Sequence, residues 1–312
     1  FNDLKDLTST NLTLWAGYRS LAKKVVHGDR ANQWNQGGTL GNLTAGSTGV
    51  RLNNLVNKWF LGLDRPQAAA GTTYRYVNGS LFQGIQYQDI DQEGAADCYF
   101  LAPLAEVAQQ SPNTILNMFT DNGDGTFMVR FFRGGTSEYV TVDRFLPVES
   151  NGTSRYAGFG GTYTQSTNEL WVALAEKAYA QINESNWIGQ DGTNSYAGID
   201  FGSMSKAMGH ITGRSTTSVP VVGGLFGLLM RSQVISQNGQ GKAITFSSFD
   251  SDDDVDDNIV ANHVYTLAGY DAATQRFRLF NPWGFNNNKP GEVFLTWSQI
   301  ASNFSTWAYT AV

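Results

Sequence analysis

The chain has 312 residues, 41% of them hydrophobic and only 15% charged, which is enough apolar material for one large core or two subdomains of roughly 150 residues and argues against disorder. Its formal charge is −6, from 21 Lys+Arg against 27 Asp+Glu, with no basic block interleaved with aromatics, so nucleic acid is excluded as an expected partner. One cysteine excludes an internal disulfide and a thiolate metal cage, and the longest apolar run, residues 219–230 ("VPVVGGLFGLLM"), is too short and too broken by Pro and Gly to span a bilayer.

Residues 1–70 contain two helical pieces, near 14–25 and 50–63, separated by a loop rich in Gly, Asn and Thr. Trp15, Tyr18, Ala22 and Val25 fall at helical spacing on the first piece, giving a face that must pack on something. We read this region as an accessory or propeptide-like segment. The low Lys content and several Asn-x-Ser/Thr triplets hint at an exported protein, a pattern that composition alone would also give.

From Arg75 onward the pattern changes. "DGTFMVRFFRGGTSEYVTVDRFLPV" alternates apolar and polar residues on both sides of "RGGTS", a β-hairpin signature. "STNELWVALAEKAYAQINES" predicts a helix opened by a Ser166/Glu169 capping box, with Leu170, Leu174, Ala178 and Ile182 along one face. A further helix in "GSMSKAMGHITG" stops at Gly213, beyond which the chain reads as strands. The expected organisation is therefore α+β, with a helical subdomain over 71–215 and an antiparallel β-rich subdomain over 216–312.

The lone thiol, Cys98, opens an apolar helical run with Asp97 as candidate N-cap, a position whose helix dipole favours thiolate. A small buried hydrophobe is the plain alternative. Only histidine supplies a base of suitable pKa. His27 and His210 read as surface or helix-end residues. His263 differs: "NHVYTLAGYDAATQRFRLFNPWG" reads as two strands joined near Ala272, a register that sets His263 beside Asn281. An amide beside an imidazole fixes its tautomer, the third role of a Cys-His-Asn triad. A strand histidine and a turn asparagine would give the same spacing.

"QEGAADCYFLAPLAEVA" and "NHVYTLAGYD…RLFNPWG", with "GSLFQGIQYQDIDQ", "VTVDRFLPV", "ELWVALAEKAYAQIN" and "YAGIDFGSMSKAMGHITG" in colinear order, resemble the calpain-like cysteine proteases. The resemblance implies a papain-like, calpain-type core with a cleft between its subdomains, peptide-bond hydrolysis through a thioester, protein or peptide substrates and no organic cofactor. It makes Cys98 the nucleophile, His263 the acid/base, Asn281 the orienting residue, Gln92 an oxyanion donor and Trp283 a shield over the His–Asn bond.

Two departures stand out. Pro103 falls inside the nucleophile helix, predicting a kink or a short first segment. Ala96 replaces the glycine usual two residues before the cysteine. Calcium is expected in part: Asp89, Glu176 and, from the aspartate run 250–257, Asp252 and Asp254 are the candidate ligands, whereas the neutral "FNNNKPGE" after Trp283 weakens a second site. The rival reading is a catalytically silent module of the same fold that binds calcium or a protein partner. A transferase resolving the thioester with an amine is a third.

Overall fold

The computed structural model describes residues 12–285 and 287–312. Helices α1 (Leu12–Val26) and α2 (Gly49–Trp59) form close to where the apolar spacing sets them, and Thr48 caps α2 by accepting from the Arg51 N–H. Tyr18 of the expected α1 face stacks on Phe60 at 6.1 Å; the side chain of Trp15 lies outside the described residues. Leu21, Val25, Leu55 and Trp59 are buried in the same hydrophobic cluster as the nucleophile helix. Lys58 is fully buried as well, and its ammonium reaches the carboxylates of Asp64 and Glu184 and the Trp34 carbonyl, so the charge is paired on every side.

Helix α3 (Cys98–Gln110) is buried continuously from Tyr99 to Ala108. Pro103 lies inside it, yet the helix runs on without a short first segment. The proline costs roughly 3 kcal/mol, whereas each large apolar side chain buried beside it returns about 1.5–3 kcal/mol. Strands β1 (Thr73–Tyr76), β2 (Phe119–Asp121), β3 (Thr126–Arg133), β4 (Thr136–Asp143) and β5 (Phe145–Val148) pair antiparallel, β2-β3-β4 as one sheet and β1 with β5 as another. The β3–β4 turn falls on Gly134 and Gly135, both at positive φ, where a side chain would be strained.

Helix α4 begins at Trp171 and runs to Ile182, so Ser166 is not its cap. The reason is tertiary: Glu169 and Leu170 donate their backbone N–H groups to Phe159 and Ser80, and the Glu169 carboxylate accepts from the Gln83 N–H at 2.6 Å. The residue that would close a capping box is thus engaged elsewhere. Every residue of α4 is buried, not only the predicted face. Helix α5 (Met204–Thr212) ends at Gly213 with φ 72, as its glycine predicts.

Strands β6 (Thr216–Pro220), β7 (Ala243–Ser248), β8 (Val264–Asp271), β9 (Arg276–Phe280), β10 (Glu292–Leu295) and β11 (Phe304–Thr310) make one antiparallel sheet in the order β10-β9-β8-β7-β11-β6. Its second core contains Phe246, Tyr265, Leu267, Phe277, Leu279 and Trp307. The apolar run after β6 is helix α6 (Gly224–Gly239), an element the strand-rich reading missed. It lies close to Trp297, the first residue of the short α7 (Trp297–Asn303): a Cβ at Gly227 would come within 2.9 Å of that indole nitrogen. No helix among the described residues is long and apolar enough to cross a membrane.

Candidate active site

Cys98 is the first residue of α3, and Asp97 holds the N-cap position without making a side-chain cap bond. The Asp97 carboxyl turns into the core instead, fully buried beside the carboxyl of Glu176, and neither of its oxygens finds an N–H or hydroxyl donor. Burial raises Asp97 to about 8, with Asp200 adding repulsion, and raises Glu176 well above the ordinary range, so the pair retains a proton. Glu176 is anchored by the Ala157 N–H at 2.9 Å.

The thiol does not follow the sequence expectation. Burial pushes Cys98 up to about 12, and the neighbouring Asp97 charge pushes the same way. A helix terminus contributes roughly 0.3–1 kcal/mol, less than the 1.36 kcal/mol of a single pKa unit, and cannot offset that burial.

His263 stands one residue before β8 and Asn281 one residue after β9. β8 and β9 pair Thr266 with Phe280, so Trp283, not Asn281, is the continuation opposite His263. The expected turn at Ala272–Ala273 is too tight, since the strands pair only from Asp271 and Arg276, and the bulge between Leu267 and Gly269 then moves the register back by one residue. The side chains meet diagonally all the same, with His263 Nε2 2.8 Å from Asn281 Oδ1. The Trp283 N–H donates to that same oxygen at 3.0 Å, which assigns the amide orientation. Nε2 therefore carries the proton and Nδ1 is the free basic nitrogen.

Burial lowers His263 to about 4, the Asn281 hydrogen bond opposing the shift. The Trp283 ring lies 5.1 Å from the imidazole, tilted by 55°. Ser248 Oγ accepts from the His263 N–H at 2.9 Å and pins the backbone.

Cys98 and His263 line one cavity of about 550 Å³, together with Gln92, Glu93, Phe201 and Trp283. No hydrogen bond joins Cys98 to His263 among the described residues. Gln92 is 5% exposed; its side-chain amide donates to the Ala95 carbonyl at 2.7 Å and its backbone N–H to the Pro282 carbonyl at 2.7 Å. The second amide hydrogen is uncommitted. Sequence reasoning missed Phe201 and Asn262, which line the cavity at φ 54 and φ 49, backbone angles rare for residues other than glycine. Nothing in their local sequence signals that geometry.

The four expected calcium ligands do not come together. Glu176 belongs to the Asp97 pair. Asp252 and Asp254 are exposed on a single 3-10 turn. Asp89 accepts from the Gln86 N–H and the Trp171 indole, and the carboxylate whose pKa its charge raises is Glu169, not Glu176. Among the described residues no cluster of three or more His, Cys, Asp or Glu side chains could hold a metal ion.

Against known proteins, residues 64–307 match the family described as calpain family cysteine protease. The chain is 28% identical over 217 residues to Calpain-13 of Rattus norvegicus, covering 65% of this chain and 30% of that protein. To Calpain-14 of Homo sapiens it is 29% identical over 215 residues, 63% of this chain and 28% of the relative. With the calpain-type cysteine protease DEK1 of Zea mays it shares 29% identity over 161 residues, 51% of this chain and 7% of the relative. The chain thus spans about 30% or less of the length of these relatives.

Proposed function

The chain belongs to the calpain family of cysteine proteases, and on that premise we propose that it is an endopeptidase acting through Cys98, His263 and Asn281. The cleft lies between the α3 wall, which carries Cys98, and the β8–β9 wall, which carries the base. Cys98 Sγ attacks the scissile carbonyl carbon while His263 Nδ1 takes the thiol proton. The same nitrogen returns that proton to the departing amine, leaving a thioester on Cys98. Water activated by His263 then hydrolyses the thioester and restores the thiol. The free amide hydrogen of Gln92 and the Cys98 backbone N–H are the donors for the oxyanion. Asn281 holds the imidazole in the tautomer that leaves Nδ1 available.

The observation that carries this reading is the His263–Asn281 hydrogen bond on the wall of the cavity that Cys98 also lines. The test is to incubate the protein and its Cys98→Ala variant with an unstructured protein, with and without calcium, and to identify fragments by mass spectrometry. Fragments formed only by the unmodified protein support the proposal; none in either calcium condition refutes it.

A second reading, the catalytically silent module, draws on the neutral state of the pair: the thiol is raised, the imidazole lowered, and no hydrogen bond connects them. It predicts partner binding without fragments. Calcium enters the proposal through Asp89 and Glu169, two carboxylates that burial raises and of which the first repels the second. An ion there would neutralise like charges beside the loop leading to Cys98; it supplies no step of the chemistry.

A further inference from the structure

The loop leading to the nucleophile carries a carboxylate that the mechanism above leaves unused. Glu93 follows Gln92 directly, precedes Cys98 by five residues and lines the same cavity as both. It is exposed and lines the cavity. Apart from His263, the cavity lining contains no residue that can carry a positive charge, and Glu93 is its one carboxylate.

Among the described residues no ion pair neutralises Glu93. Its pKa is raised from the ordinary value by burial alone, with no cation opposing the shift. Arg155, whose guanidinium lies against Gly94, is engaged by Glu149 at 3.1 Å. Lys289, next to Asn288 of the lining, spends its ammonium on the Asp257 and Ile259 carbonyls at 2.6 and 3.2 Å, and the other charges nearby are acidic. Asp91, on the other side of Gln92, is raised to about 6 by burial and then by Glu93 itself. The aspartate run 250–257 leads into the Val260–His263 stretch of the lining. A half-enclosed cleft lined by one sign of charge attracts the opposite sign.

We propose that Glu93 is a specificity-determining residue, and that the cleft prefers protein segments bearing Lys or Arg next to the scissile bond. The inference rests on the peptidase reading above. It gives that reading a substrate class: the ammonium or guanidinium replaces the missing cation beside Glu93, while an uncharged side chain of equal length leaves the carboxylate unpaired.

The test compares matched peptides carrying Lys, norleucine or Glu at successive positions around one cleavage site, using the unmodified protein, Glu93→Gln and Glu93→Lys, with Cys98→Ala as blank. At one position the kcat/KM ratio of Lys to norleucine peptide is expected to be about tenfold or more, to approach one in Glu93→Gln, and to invert toward Glu in Glu93→Lys. The ratio also shrinks as salt rises from about 50 to 500 mM. Equal ratios in the unmodified protein and Glu93→Gln overturn the inference. A parallel arm measures binding of the same labelled peptides to Cys98→Ala with and without Glu93→Gln. There, a Lys preference that vanishes with Glu93 supports the inference even without turnover, whereas indifference to charge overturns it. Absence of Cys98-dependent cleavage counts against the peptidase reading separately.

Discussion

The two walls of the cavity are held by opposite means. On the β wall, His263 is fixed by hydrogen bonds that are all satisfied: Ser248 on its backbone, Asn281 on Nε2, and the Trp283 N–H orienting the amide. On the α3 wall, the residue before Cys98 is a buried carboxyl whose nearest polar partner is another buried carboxyl. Elsewhere the protein solves the same problem with a cation, Lys58 between Asp64 and Glu184; at Asp97 and Glu176 a retained proton does that work. One wall is thus organised independently of pH over a wide range, and the other by a group that titrates. The base can be ready while the nucleophile is not.

The largest test of this contrast is removal of the groups themselves. Cys98→Ala and His263→Ala are each expected to lower kcat by about 10⁶, and the double variant to be no slower than either single one, because the two act as a unit. A double variant far slower than both singles would show that they work separately. Asn281→Ala should cost less than either, since nucleophile and base remain.

Gln92→Ala comes next. Loss of one oxyanion donor costs about 10²–10³ in kcat, roughly 2.7–4 kcal/mol, with little change in KM. A raised KM at unchanged kcat would make Gln92 a substrate contact. Calcium is expected to act on the α3 wall through Asp89 and Glu169: at 100 times its Kd it adds about 2.7 kcal/mol to folded stability. Tm in chelator and in calcium decides the matter, and Glu169→Gln should remove any rise. Identical values in both conditions would exclude the ion.

The subtlest readout concerns the shared proton. Asp97 and Glu176 titrate higher folded than unfolded, so below about pH 4 both states bind the proton, and up to about 8 only the folded state does. That stability is complete at acid pH and lost as pH rises through about 8. Asp97→Asn supplies a permanent donor. Its Tm should therefore fall less than that of the unmodified protein between pH 5 and 9, by about 2–4 °C for each kcal/mol recovered. Parallel pH profiles would mean the pair holds no shared proton.

Sequence reading recovered what local chemistry determines. The starts of α1 and α3, the Gly134–Gly135 turn and the Gly213 stop follow from spacing, propensity and glycine conformation. The proximity of His263 and Asn281 emerged from a hairpin read with too tight a turn, because two diagonal side chains with polar tips still reach each other. Three features were illegible for tertiary reasons. Ser166 lost its capping role when Glu169 was drawn to the Gln83 N–H. Glu176 meets the buried Asp97 carboxyl, a contact formed only on folding. Helix α6 exposes Leu225, Phe226 and Leu229 at 79%, 74% and 71%, a distribution that no amphipathic pattern announces.

The backbone bond from the Gln92 N–H to the Pro282 carbonyl, 2.7 Å long, joins the loop before Cys98 to the loop after Asn281. Pro282 has no N–H to return, so this junction cannot grow into a ladder of paired strands. Mechanically it is a pin, not a seam. A single such bond contributes about 0.5–1.5 kcal/mol, small enough for thermal motion to break and remake it, and rotation about it shears no sheet. The two walls are also tied further along the nucleophile helix, where Thr266 Oγ1 donates to the Ala102 carbonyl at 2.8 Å, so the pin adds a second fixed point next to Cys98 and Asn281.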